Sequence, residues 1–256
     1  MNAGFFEAVG VSKRFGGIAA LTDVSLAVRE GETVGLVGPN GAGKTTLFNC
    51  LLGVLRPDAG HVAFRGIDLT RMAVHRRARL GIGRTFQRVE LFTGMTVREH
   101  LLVAERARRG VGGLFSDMVG RGSPTAAERS RVDRVLDLVG MQGEADLPVE
   151  ALSLGRTRLV ELGRALVGQP TLLFLDEPSS GLDRSESVAL AALLRTLPAQ
   201  HGMAVLLVEH DLEMVAAVVT RLYVLDAGSL LAEGPVGEVL ADEHVRRAYL
   251  GRAASP

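Results

Sequence analysis

Cysteine is nearly absent from this chain, lysine is almost as scarce, and neither sign of charge prevails. Among 256 residues there is one cysteine, Cys50. That excludes an internal disulfide framework and a multi-cysteine metal site, and it makes a thiol-permissive compartment, most simply the cytosol, the expectation. The 29 basic and 29 acidic residues cancel, so bulk electrostatics give no case for a nucleic-acid or anionic-membrane binder. No run reaches the ~18 apolar residues that a membrane helix needs. The N-terminal stretch MNAGFFEAVGVSKRF lacks the sustained apolar region and cleavage site of a secretory signal. If the protein works at a membrane, another chain must span it. The basic side chains are overwhelmingly arginine, and only Lys13 and Lys44 are lysines. Each lysine therefore asks for a reason.

The remaining composition suits one large α/β domain, or a domain with a sub-domain. Apolar residues make up 47% of the chain, enough for a sizeable core. Short β-branched apolar runs alternate with helical patterns, which predicts a mostly parallel sheet. The buried-strand candidates are Thr33–Val37, Thr171–Asp176, Met203–Val208 and Leu222–Asp226. Phe5–Val9 and Ser25–Val28 read as an antiparallel edge, and His61–Arg65 as a further short strand. Thr96 with Glu99, and Asp183 with Glu186, have capping-box spacing, while Ser123-Pro124 puts proline at a first helical position. Between about Phe86 and Leu166 no convincing strand is legible. That stretch, 86–166, is expected to be an inserted helical sub-domain between core segments 5–85 and 167–250, with glycine-rich Gly110–Gly122 as a loop inside it.

Two patterns carry chemistry. Gly38-Pro39-Asn40-Gly41-Ala42-Gly43-Lys44-Thr45, followed by Thr46, lies after a strand and before a helix, the context a P-loop requires. Glycines let the backbone wrap a phosphate with its N–H groups. Lys44 would supply a point charge to the β- and γ-phosphates, and the Thr45 hydroxyl would ligate Mg²⁺. The bland reading is a glycine-rich strand-to-helix turn, and a rare lysine at the demanded position argues against it. The second pattern is Leu172-Leu173-Phe174-Leu175-Asp176-Glu177, an apolar strand ending in two acids. Burying carboxylates is unfavourable unless they meet a cation or a reacting water. Asp176 fits the Mg²⁺ partner of Thr45, and Glu177 the group that polarises the attacking water.

With these residues in order, followed by Leu152–Arg156, Ser179–Asp183 and His210, the chain resembles the nucleotide-binding subunit of an ATP-binding cassette (ABC) transporter from about Phe5 to Gly251. The resemblance implies a P-loop NTPase (RecA-like) core with an antiparallel β edge and an inserted helical sub-domain, binding ATP and Mg²⁺. Gln87 resembles the glutamine that touches Mg²⁺ or the attacking water, and His210 the switch histidine at the γ-phosphate. Asp183 resembles the aspartate that signals across the dimer, and Phe15 the aromatic that stacks on adenine. By the same resemblance Ser153 and Gly155 form an anion site offered to a partner's nucleotide, a role compatible with Ser153 being an ordinary N-cap. Leu152-Ser153-Leu154-Gly155-Arg156 departs from the pattern Leu-Ser-Gly-Gly-Gln. Arg156 replaces the glutamine and is expected to lean toward the partner's nucleotide.

Within the family, Lys13–Val24, Arg84–His100 and Ala241–Gly251 are similar to ATP-binding subunits of branched-chain amino-acid importers and of related urea or amide importers. Lipopolysaccharide-export ATPases share parts of the pattern. The implied partners are transmembrane permease subunits, a second ATPase subunit in a homo- or heterodimer and, indirectly, a substrate-binding protein, with no nucleic acid. The implied location is peripheral, at the cytoplasmic face of the cell membrane. Other classes fit less well. A GTPase would carry an Asn-Lys-x-Asp motif, which is absent. DNA- or ribosome-directed ABC ATPases usually carry a long coiled-coil insertion or a second cassette. A nucleotide-gated, non-transport module would typically lose the residue at Glu177 or His210.

Overall fold

The computed structural model describes residues 4–85, 91–109 and 123–250. Two sheets form its frame. The smaller is antiparallel, with β1 (Phe6–Phe15), β2 (Ile18–Val28), β4 (Ala59–Phe64) and β5 (Ile67–Asp68) in the order β2-β1-β4-β5. The larger comprises β3 (Thr33–Val37), β6 (Ile82–Arg84), β7 (Leu172–Asp176), β8 (Ala204–Val208), β9 (Arg221–Asp226) and β10 (Ser229–Pro235). Its order is β10-β9-β3-β8-β7-β6, parallel throughout except for β10. Every residue of β3, β7 and β8 is buried, which is why they read as unbroken apolar runs rather than alternations.

The pleat sorts these strands between two cores. Leu172, Phe174, Leu206 and Leu36 join α1 (Lys44–Leu52) and the small sheet in one cluster. Leu173, Leu175, Val205 and Leu207 face α6 (Arg184–His201) and α7 (Leu212–Val218) in the other. That second core runs on into α3 (Val97–Arg109), α4 (Ala126–Leu138) and α5 (Leu154–Val167) through Leu101, Val132, Leu136, Val160 and Leu162. The described residues between β6 and β7 are these helices and two short 3₁₀ turns. The loop expected at Gly110–Gly122 lies outside the described residues.

Several local expectations change. The antiparallel edge is longer than Phe5–Val9 and Ser25–Val28, because register shifts after Ala8 and Val11 break the alternation that would reveal it. The strand β10 is an addition to the expected set. It returns along β9 through Ala227 and Gly228, both at positive φ (45° and 82°), a two-residue turn suited to a hairpin. β6 is too short to show a period. Pro124 precedes the cap rather than opening the helix: Thr125 is the N-cap of α4, in a reciprocal box with Glu128. The boxes at Thr96–Glu99 and Asp183–Glu186 form as the spacing predicts.

Arginine carries much of the buried scaffolding. Arg77, 2% exposed, lies on α2 (Val74–Arg79) and donates to the carbonyls of Leu51, Cys50, Leu69 and Met72. It thus closes the carboxyl end of α1, the helix whose other end follows the glycine-rich loop. Burial pulls its pKa down to about 10. Arg77→Leu would leave buried carbonyls without a donor and should lower stability by about 2–4 kcal/mol in urea unfolding. Arg77→Lys should recover only part, because an ammonium lacks the planar fork. An unshifted midpoint for the leucine variant would show that these carbonyls find other donors.

Candidate functional site

The glycine-rich loop Gly38–Gly43 joins the central strand β3 to α1. Gly43 caps α1 at φ 100° with no side-chain acceptor, leaving the first-turn N–H groups for an anion. A side chain at Gly43 would come 2.7 Å from the Ala20 carbonyl oxygen on β2, and one at Gly38 would strike the carbonyl oxygen of Leu225 on β9. Both glycines are therefore demanded by close backbone approach. Pro39 and Ala42 are buried, Asn40, Gly41 and Thr45 are exposed, and Thr46 is half-buried. Lys44, 8% exposed, donates to the carbonyls of Gly38 (2.6 Å) and Pro39 (3.1 Å). Burial lowers its pKa, and the charges of Glu177 and Asp176 oppose that shift. The second lysine serves elsewhere, since Lys13 pairs with Asp58 at 2.8 Å and lies 5.7 Å from the Phe15 ring centre.

Because β8 separates β3 from β7 in the sheet, Asp176 and Glu177 come near Lys44, with Glu209 near Asp176. Asp176 is 7% exposed. Burial, then the neighbouring charges of Glu177 and Glu209, push its carboxyl up to about 6, against the pull of Lys44. Glu177 holds a left-handed backbone, φ 47°, that a non-glycine residue adopts at a cost of about 1 kcal/mol. Its N–H donates to the Val208 carbonyl at 2.8 Å, and its Oε1 lies 4.0 Å from His210 Nδ1. Lys44, Asp176, Glu177 and His210 are thus brought together. Gln87 lies outside the described residues.

Glu209, inconspicuous in the sequence as a neighbour of His210, is fully buried. Its carboxylate accepts from the N–H groups of Ser179 (2.9 Å), His210 (3.1 Å) and Asp211 (3.4 Å), tying the loop after β7 to the loop after β8. The signal that could have found it is an acid ending a buried apolar run, the same signal that singles out Asp176.

The other site candidates are placed separately. Phe15 ends β1 with 49% of its surface exposed, free to meet a flat ring. Ser153 is the N-cap of α5 and accepts from the Arg156 N–H at 3.3 Å; Gly155 is buried beside it. Asp183 is the N-cap of α6. Arg156 departs from expectation. Instead of leaning outward it donates to the Gly140 carbonyl at 3.2 Å and pairs with Glu144 at 3.2 Å, because the turn after α4 brings a carbonyl and an acid within its reach.

The buried acids suit a hard cation. A hydroxyl at Thr45 and a carboxylate at Asp176 are all-oxygen donors, and the raised carboxyl shows a negative charge poorly compensated by Lys44 alone. These residues therefore fit Mg²⁺. The folded pKa of Asp176 lies above its ordinary 3.8, so the native chain binds the extra proton between the two values and loses stability relative to the unfolded chain as pH rises through that window. Asp176→Asn should accordingly raise the nucleotide-free thermal midpoint at neutral pH, equivalent to about 1–3 kcal/mol. The gain should vanish below about pH 4. A pH-independent gain, or none, would mean that the charge of Asp176 is not the source.

Known proteins resemble this chain along most of its length. A family model described as ABC transporter matches residues 21–180, and one described as branched-chain amino acid ATP-binding cassette transporter matches 229–255. The chain is similar to the high-affinity branched-chain amino acid transport ATP-binding protein LivG of Salmonella typhimurium, 41% identical over 247 residues and covering 95% of this chain and 96% of that one. BraF of Pseudomonas aeruginosa, with the same description, is 37% identical over 259 residues, with 99% and 100% covered. Among solved structures, a nucleotide-free ATP-binding cassette from an ABC transporter superposes with TM-score 0.84 at 29% identity, covering 96% of this chain and 99% of its own. The ADP conformation of MJ1267, an ATP-binding cassette of an ABC transporter, gives 0.86 at 30%, with 97% and 99% covered. The chain belongs to the ABC transporter family, as an ATP-binding, ATP-hydrolysing subunit of the branched-chain amino-acid group.

Proposed function

We propose that the protein couples MgATP binding and hydrolysis to uptake of branched-chain amino acids through separate permease subunits. The observation that carries the chemistry is the meeting of Lys44, Asp176, Glu177 and His210 where β3, β7 and β8 end. The cargo follows from the resemblance to LivG and BraF. Among the described residues no helix is long and apolar enough to cross a membrane. The permeases therefore make the crossing and this chain works at their cytoplasmic face, with a substrate-binding protein acting on the permeases' far side. The stretch 86–166 is taken as the inserted sub-domain that meets them.

The reaction is in-line attack of water on the γ-phosphorus of ATP, catalysed by position and charge. The loop Gly38–Thr46 cradles the phosphates with backbone N–H groups, and Lys44 balances their charge. Glu177 accepts the proton of the attacking water. His210, whose Nδ1 lies 4.0 Å from Glu177 Oε1, reaches the γ-phosphate beside that acid. Phe15 stacks on the adenine. Thr45, Asp176 and Gln87 would hold Mg²⁺, which would neutralise charge on the transferring phosphoryl group. A second cassette, of the same or a similar chain, completes each site with its Ser153–Gly155 segment and Asp183.

Glu177→Gln keeps volume but loses the base. It should retain ATP binding, reduce turnover at least about 100-fold and let MgATP hold two chains together in light scattering. Ser153→Arg in that background should bind ATP as a monomer yet fail to associate. Native turnover by Glu177→Gln would remove Glu177 from the mechanism.

Cargo is tested by reconstitution with the permeases. ATP-dependent uptake of labelled leucine, isoleucine or valine is expected, abolished by Glu177→Gln. Stimulation by urea or short amides alone would transfer the protein to that importer group.

A further inference from the structure

The head of α5 is covered, within its own chain, by an acid that the mechanism above does not use. Ser153 Oγ donates to Glu186 Oε1 at 3.3 Å while accepting the Arg156 N–H. The other Glu186 oxygen accepts the Asp183 N–H at 3.1 Å. The carboxyl group stands over Gly155, in the space that a Cβ there would take. In the opposite direction Leu154 reaches over Gly181, its Cδ2 lying 2.6 Å from where a Cβ would be. Ser153–Gly155 and Gly181–Glu186 therefore interlock through two glycines, each leaving room for a side chain of the other segment. This accounts for Leu154, the departure from the family pattern: it fills the hollow above Gly181.

A carboxylate in this position has an electrostatic consequence. It offsets the partial positive charge at the start of α5 and engages the hydroxyl that would otherwise donate outward. A phosphate approaching Ser153 would meet a fixed negative charge one hydrogen bond away. We propose that Glu186 is a positioning residue that occupies the anion site at the head of α5 in the separate chain and is displaced by the terminal phosphate of a partner's ATP. It thereby sets the ATP concentration needed for closure, and it returns to Ser153 when phosphate leaves. The inference rests on the reading of Ser153 as the half-site offered to the partner.

The test is ATP-titrated association of Glu177→Gln chains, followed by light scattering. Glu186→Gln removes the charge, while its amide oxygen still accepts the Asp183 N–H and preserves the cap. The ATP needed for half-maximal association should fall about 5-fold in low salt, with the difference shrinking toward about 1 M salt. The nucleotide-free thermal midpoint should stay unchanged. Glu186→Ala also loses the cap, so its midpoint should drop, yet its ATP requirement should still fall. If both variants need as much ATP as the parent, or more, Glu186 is only a helix cap and the inference is overturned. The Ser153→Arg control separates the two readings. Failure of the parent to associate, or association that ignores Ser153→Arg, would remove the trans role of Ser153 itself. Association blocked by Ser153→Arg but indifferent to the Glu186 variants would remove the role of Glu186 alone.

Discussion

One buried ammonium held against buried carboxylates is the constraint on which this structure depends. Lys44 loses hydration at the start of α1, while Asp176 and Glu209 lose it where β7 ends and just beyond β8. None of these charges is tolerable alone in an apolar interior. The order β3-β8-β7 brings them to one end of the sheet, where those strands are buried along their whole length. Glu209 spends its charge on three backbone N–H groups. Among the described residues Asp176 finds no comparable set of donors, and its pKa is raised. That imbalance is what a bound cation would relieve.

The division of labour between the two kinds of basic residue follows from the same physics. Arg77 serves several carbonyls at once, and Arg221 grips both oxygens of Glu32, at 2.9 and 3.0 Å, while donating to the Ala27 carbonyl. A planar fork suits such fixed, many-partner ties. Lys44 sits where the loop wraps closely and only a compact charge on a thin stem will fit. An arginine-rich chain that keeps lysine at this position is therefore chemically consistent.

The acidic cap of α6 serves two structures. Asp183 and Glu186 close the helix start reciprocally, and Glu186 also reaches Ser153 at the head of α5. A reader of the sequence sees a capping box and stops there, because the second contact joins residues 33 positions apart. The inward turn of Arg156 is of the same kind. Its partners, Gly140 and Glu144, precede it by one helix junction, and nothing in the segment Leu152–Arg156 announces them.

Local chemistry determined a good deal by itself. The glycine-rich loop, the acid pair Asp176-Glu177, the buried strands and the two capping boxes were legible because each is written in contiguous residues or at one fixed spacing. The family resemblance was legible because those motifs keep their order. The bulged β1–β2 ribbon was only half visible, since register shifts disrupt the period of two, and β6 was too short to show any period. Only the tertiary structure decided that β8 lies between β3 and β7, that Glu209 ties two loops, and that Glu186 stands on Gly155. Those facts depend on which strands pair and which side chains fill the hollows above glycines. Both are settled by packing between segments distant in the chain, for which the local sequence carries no code.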